Sequence, residues 1–198
     1  MHRQPTEDQL HTPDQDPGPM TGAELDTLRR ACGWEREDLA DLCRVQTRTI
    51  KHWQSGRAAV PDQVARFVRA QALWLQELTA RTLRQYAEVL ELAKVHSAGQ
   101  PLEVVLLRYK DQADIAGADA AEALTPATHA ALTLRVMLAL QAQGAEVRLV
   151  WFDALAFGEW AYQHGVSDTS ASRAAWAAGE GLQGQTRAYG SGLACPGV

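Results

Sequence analysis

Between Thr21 and Pro61 the chain is cut by its own punctuation into three short helical pieces. Thr21 and Glu24 form a capping-box signature ahead of Leu25, Leu28 and Cys32, and Gly33 closes that piece. A second piece runs from about Arg36 to Cys43, with Leu39, Ala40 and Cys43 as its inward residues. A third runs from Thr47 to Ser55 and buries Ile50 and Trp53 at i and i+3, with Gly56 at its stop. Helices of this length are marginal in isolation, so the three must share one core.

Pro61 suits the first turn of a fourth helix. Val64, Phe67, Val68, Leu75, Leu78, Leu83, Tyr86 and Leu90 recur at three- and four-residue spacing, so residues 61–97 read as a long connecting helix or a helix pair broken near Gln71. The pattern then changes. Leu102–Tyr109 and Glu146–Asp153 are β-branched, aromatic-ended runs that predict strands. Between them Thr125-Pro126 opens a helix that Gly144 ends, and a last helix covers roughly Ala154–His164. The helix after Thr125 is apolar on almost every face and needs cover on several sides. Strand, crossover helix and strand is the wiring of a parallel pair. Two strands alone are marginal in water, so residues 101–165 are expected to complete their core with a second copy of the chain.

The ends have a different composition. Residues 1–20 are polar and proline-bearing and are expected to form a disordered extension. Residues 166–198, rich in Ala, Gly and Ser, read as a low-complexity and largely flexible tail, with Trp176 as a docking residue. No apolar run approaches the ~18–20 residues needed to cross a bilayer, and no apolar leader precedes the folded pattern. Cys32, Cys43 and Cys195 have no metal-ligand spacing, and their odd number argues against a disulfide framework. A cytoplasmic protein without membrane association is the expectation. The fold class that follows is mainly α: an N-terminal helix-turn-helix bundle of four to five helices (residues 21–60 and the helix after them), then a small α/β dimerisation domain of β-α-β-α order.

Charge is distributed unevenly. The whole chain carries a formal net charge of -5, yet from Arg44 to Ala70 six cations face a single acid, Asp62. The excess is centred on the third helix, and phosphate binding responds to local potential rather than to the total. Short helices joined by tight turns, the third dense in polar and basic groups, fit helix-turn-helix geometry.

The stretch LRRACGWEREDLADLCRVQTRTIKHWQSGRAAVP (Leu28–Pro61) resembles the lambda-Cro/XRE class of helix-turn-helix regulators. The matching residues are Leu39-Ala40, Val45, Thr49-Ile50, Trp53, Ser55-Gly56-Arg57 and Pro61. The start at Met20-Thr21 and the strand–helix–strand order further resemble small phage and bacterial autorepressors, the anti-CRISPR-associated repressors among them. Three residues depart from the class: Arg44 stands where the turn usually has glycine, Gln54 where Glu often follows the tryptophan, and Glu35 is a poorer cap than Ser or Thr.

The resemblance implies that Gln46, Thr47, Arg48, Lys51 and His52 read base edges. It implies that Arg29, Arg36, Ser55, Gly56 and Arg57 hold phosphates. The expected partners are double-stranded DNA and a second copy of the chain, bound through the C-terminal half, and the expected role is a homodimeric autorepressor on an inverted-repeat operator. No catalytic residue, metal or cofactor is expected. His129, His164, Asp153 and Glu159 lie on separate elements without ligand spacing, and no phosphate-binding glycine loop is present. Two rival readings stand beside the autorepressor: an antitoxin-like protein that neutralises a protein partner through its C-terminal half and binds its own promoter, and, more distantly, an enzyme with an N-terminal DNA-targeting domain. RNA binding by the same basic face is a variant of the first class.

Overall fold

The computed structural model describes residues 18–96, 103–116 and 124–180. Most of the expected N-terminal extension, the last part of the tail and Cys195 lie outside these residues. The molecule is mainly helical with one small parallel sheet. Its first three helices are α1 (Gly22–Ala31), α2 (Arg36–Cys43) and α3 (Thr47–Gln54). Thr21 caps α1 by accepting from Glu24 N at 3.1 Å. The Glu24 carboxylate does not complete the capping box; it takes a bidentate bond from Arg69 instead, at 2.7 and 3.0 Å.

Helix α4 (Asp62–His96) is continuous over 35 residues and serves as the spine of both halves. At 1.5 Å per residue it is about 50 Å long. Its first turns give Val64, Ala65 and Val68 to a core with Leu25, Leu39, Ile50 and Trp53. Met20, placed by sequence in the extension, is buried in that same core. Further along, α4 gives Leu75, Leu78, Tyr86 and Leu90 to a second core.

That second core is built on β1 (Glu103–Arg108) and β2 (Glu146–Trp151), which pair in parallel with Glu103 opposite Glu146 and Arg108 opposite Trp151. Between them lie the short α5 (Gln112–Ala116) and the crossover helix α6 (Pro126–Ala142), with Thr125 as N-cap and Pro126 in its first turn. Helix α7 (Ala154–His164) follows, capped by the Asp153 carboxylate.

Part of the expected flexible tail is instead the helix α8 (Ser170–Glu180). Thr169 and Ser172 cap it reciprocally, at 2.9 and 3.1 Å. Two large side chains dock it. Trp176 is buried against Phe152 and Phe157. Arg173 is buried with its guanidinium 4.2 Å from the Phe152 ring centre and bonded to both Asp168 oxygens at 2.6 and 2.8 Å. Composition points the wrong way here because small residues cover little surface themselves, yet they let one arginine and one tryptophan reach a core.

The N-terminal bundle rests on the start of α6. Trp34 donates from Nε1 to Thr128 Oγ1 at 3.0 Å and stacks on Phe67, and Arg135 donates to the Ala31 carbonyl at 2.7 Å. Gly33 sits at this junction with φ +76°, where an added Cβ would lie 2.4 Å from the Ala127 carbonyl oxygen. Only glycine satisfies both the backbone angle and the close approach.

Candidate nucleic-acid interface

The third helix is fixed from behind. Ile50 and Trp53 are buried on its inner side. At its C-terminal end α1 approaches so closely that a Cβ on Gly22 would lie 2.3 Å from the Gln54 carbonyl oxygen and 2.5 Å from that of Trp53. The α2–α3 turn is closed by Arg44 in the left-handed conformation, φ 55° and ψ 44°, with Val45 N bonded to Ala40 O at 2.9 Å. It is the sole non-glycine residue with positive φ among those described. The conformation is one that glycine adopts without the penalty a Cβ carries.

With that face buried, the opposite one is presented to solvent. Arg48 and Lys51 are exposed, and Thr47 and His52 half-buried. Positions 48, 51 and 52 stand at i, i+3 and i+4, so their side chains share one face. Gln46, the N-cap residue, and Ser55, Gly56 and Arg57 after the helix are exposed too. Among the described residues, no ion pair or side-chain hydrogen bond engages Arg48, Lys51 or Arg57. The Ser55 hydroxyl donates to the His52 carbonyl at 3.1 Å. Five expected base-contact residues are therefore gathered at one surface.

The expected phosphate contacts divide. Arg57, Ser55 and Gly56 flank that surface. Arg36 begins α2, half-buried, and its Nε donates to Gln54 Oε1 at 2.6 Å. Arg29 does not belong with them. It is 2 % exposed, donating to Asp26 at 2.9 Å and to the Trp34 carbonyl, and its burial removes it from any phosphate. Position 29 falls on the inward stripe of α1 with Leu25 and Cys32, and the chain curls after Gly33 to bring the Trp34 carbonyl back over α1 as the partner that lets an arginine occupy it.

Gln54 had no assigned role in the sequence beyond its departure from the class. It accepts from Arg36 and donates from Nε2 to Asp26 Oδ1 at 2.8 Å, so one neutral amide ties α1, α2 and α3 together. The acids behind the surface are engaged. Hydrogen bonds from Arg29 and then Arg30 hold the Asp26 carboxyl below the usual range, against the opposing effect of burial. Arg69 does the same for Glu24. Cys32 and Cys43 have their thiol pKa values raised by burial, as expected of core thiols rather than reactive ones.

The other titratable residues flagged by sequence have local tasks. Asp153 caps α7, the His164 ring nitrogen meets the Trp160 carbonyl at 2.7 Å, and His129 is buried against Tyr109. Among the described residues no three or more His, Cys, Asp or Glu side chains gather to hold a metal, and no helix is long and apolar enough to cross a membrane. No protein-family model matches the chain, and no curated protein matches it.

Proposed function

We propose that the protein is a sequence-specific, double-stranded-DNA-binding transcriptional regulator. It acts as a homodimeric autorepressor on an inverted-repeat operator, with α2 and α3 as a helix-turn-helix pair and the β-α-β-α half as its dimerisation domain. The observation that carries this reading is the division of α3 into two faces. Ile50 and Trp53 fix one, while Arg48, Lys51 and the neighbouring Arg57 stand free on the other. A cation with no partner inside the protein loses nothing internal when it meets DNA.

In this reading Gln46, Thr47, Arg48, Lys51 and His52 face base edges. Arg48 is the bidentate donor, suited to the O6 and N7 acceptors of guanine. Arg36, Arg57, Ser55 and the backbone at Gly56 hold phosphates and set the register. Covering a promoter represses it without catalysis or a cofactor.

The test is a gel shift on the gene's own upstream duplex. Arg48→Ala should weaken specific binding by roughly 10–100-fold, the weight of one bidentate base contact, with far-UV circular dichroism unchanged. Arg57→Ala should weaken specific and non-specific binding alike and lower the salt slope by about one. Unchanged binding by Arg48→Ala overturns α3 as the reading helix. An antitoxin-like role has one observation in its favour. Leu155 is 83 % and Tyr162 90 % exposed on α7, an apolar display suited to a protein partner. A stoichiometric protein that co-purifies with the chain and is lost on Tyr162→Lys would favour it.

A further inference from the structure

The dimer invoked above needs a seat, and strand β2 has the features of one. Phe152 N donates to the Arg108 carbonyl at 2.8 Å, one step beyond the Arg108–Trp151 register pair. In a parallel ladder, alternate residues of a strand turn both their N–H and their C=O toward the neighbour. Phe152, Val150 and Arg148 therefore face β1 with their backbone groups, and Trp151, Leu149 and Val147 turn theirs away. Among the described residues no strand pairs with that outer edge.

Two of these three residues carry the exposed large apolar side chains of β2, and the third, Val147, is apolar as well. Leu149 is 43 % and Trp151 54 % exposed, and Val147 is half-buried. Natural edge strands are blunted by lysine, proline or a bulge; the outward positions of β2 have neither lysine nor proline and are apolar without exception. An edge with open backbone groups and greasy side chains at the same alternate positions is made to be paired.

We infer that β2 pairs antiparallel with β2 of a second copy, about a two-fold axis through Leu149, joining the two sheets across the dimer. This rests on the reading of the chain as a homodimer and adds where the copies meet. Hydrogen bonding and charge together favour this register over the one centred on Arg148. Centred on Leu149, each outward residue meets an outward residue: Leu149 its own counterpart, and Trp151 the partner subunit's Val147. Every such pair exchanges both backbone bonds. An aromatic beside a β-branched residue is a favourable cross-strand pair. Centred on Arg148, two arginines would stand directly opposite each other, which like charges disfavour. With Leu149 at the centre, Arg148 lies across from an apolar residue and keeps its own Glu103 at 2.9 Å. A register shifted by a half step sets outward groups against inward ones and forms no ladder. The pairing also supplies what a two-stranded sheet lacks, since sheets gain independent stability from three strands upward.

The test is sedimentation of the full chain at micromolar concentration without DNA, with circular dichroism to confirm folding. The wild type is expected as a dimer. Leu149→Lys sets two lysines directly opposite each other across the axis, with their Cα atoms about 5.5 Å apart. It should weaken dimerisation by roughly 100-fold or more, as loss of a central hot spot does. Leu149→Pro removes an outward N–H without touching a bond to β1 and should act in the same direction. Tyr162→Lys, on the exposed side of α7, should leave the dimer intact. A wild-type dimer whose association survives Leu149→Lys overturns the β2 seat while leaving dimerisation standing. Dissociation by Tyr162→Lys alone moves the seat to α7 and overturns it as well. A monomeric wild type removes the homodimer itself, whereas the gel shift with Arg48→Ala addresses DNA recognition separately.

Discussion

The two halves of the molecule expose opposite things. In the N-terminal bundle the cations of α3 and its flanks point to solvent, and Leu42 and Leu73 are the large apolar side chains substantially exposed among the residues described there. In the C-terminal half the order is reversed. Arg173 is enclosed by Tyr109, Phe152 and Phe157, and Arg148 is held by Glu103, while Leu134, Leu138, Leu149, Trp151, Leu155 and Tyr162 face outward. One half keeps charge available and the other keeps apolar surface available. The first suits a polyanion and the second a protein surface, so the division of labour proposed above has a physical basis in each half separately.

The largest expected effect concerns whether the halves act as one body. Gly33→Ala places a methyl 2.4 Å from the Ala127 carbonyl oxygen at a residue with φ +76°. Left-handed backbone costs a non-glycine residue about 1–2 kcal/mol, and overpacking against backbone adds typically 1–3. A loss of about 3 kcal/mol is expected in urea unfolding, with fluorescence and far-UV dichroism no longer tracing one transition as the bundle leaves α6. A loss below about 1 kcal/mol with coincident transitions would show that the junction does not couple the halves.

A smaller effect isolates the C-terminal core. Burial, helped by the positive charge of Arg108, lowers the His129 pKa from 6.5 to about 4. The folded state keeps the ring neutral while the unfolded state takes up a proton, so between these values the unfolded chain binds more protons. Stability therefore falls as pH drops from about 6.5 toward 4, by about 3 kcal/mol at most. The paired carboxylates Glu24 and Asp26 act in the same direction but at lower pH, because their reference values are 4.5 and 3.8. His129→Phe should flatten the profile between pH 6.5 and 4.5 and leave the acid limb below it. An unchanged slope there would mean that the His129 ring is open to protons in the folded state and not buried against Tyr109.

The features legible in the sequence are the local ones. Thr21, Thr125 and Pro126 mark helix starts, Gly33, Gly56 and Gly144 mark stops, and β-branched, aromatic-ended runs mark both strands. Each acts within a turn or two of its own position, so a linear reading finds it. The face of α3 was legible for the same reason: Ile50 and Trp53 set its phase and thereby the direction of Arg48, Lys51 and His52. What escaped depends on distant atoms. Position 29 lies on the inward stripe with Leu25 and Cys32, yet an arginine there reads as a solvated residue until the Trp34 carbonyl and Asp26 are seen to receive it. Gln54 bridges α1 and α2 through contacts 28 and 18 residues away. Helix α8 is held by rings from α7 and from the residues that follow β1 and β2, and its own alanines carry no sign of them.

The smallest effect tests the one turn where sequence and structure meet most closely. Arg44 occupies a position in the turn between α2 and α3 whose backbone favours glycine, and it adopts φ 55°, ψ 44°. That conformation costs a residue with a Cβ about 1–2 kcal/mol, and no side-chain bond to Arg44 offsets it among the described residues. Arg44→Gly removes the strain but gives the unfolded chain more freedom, an opposing effect of about 0.4–1 kcal/mol. The net expectation is a gain of roughly 0.5–1 kcal/mol, read as a higher urea midpoint at unchanged m-value. Arg44→Lys retains both strain and charge and should leave the midpoint where it is. The two variants also separate the side chain from the turn in DNA binding. If Arg44 contributes only to the local positive potential, Arg44→Gly lowers the salt slope by at most about one, and Arg44→Lys leaves it alone. A loss of specific binding in Arg44→Gly beyond that would mean the arginine touches DNA itself, and the N-terminal half would then have a further contact residue in the turn before α3.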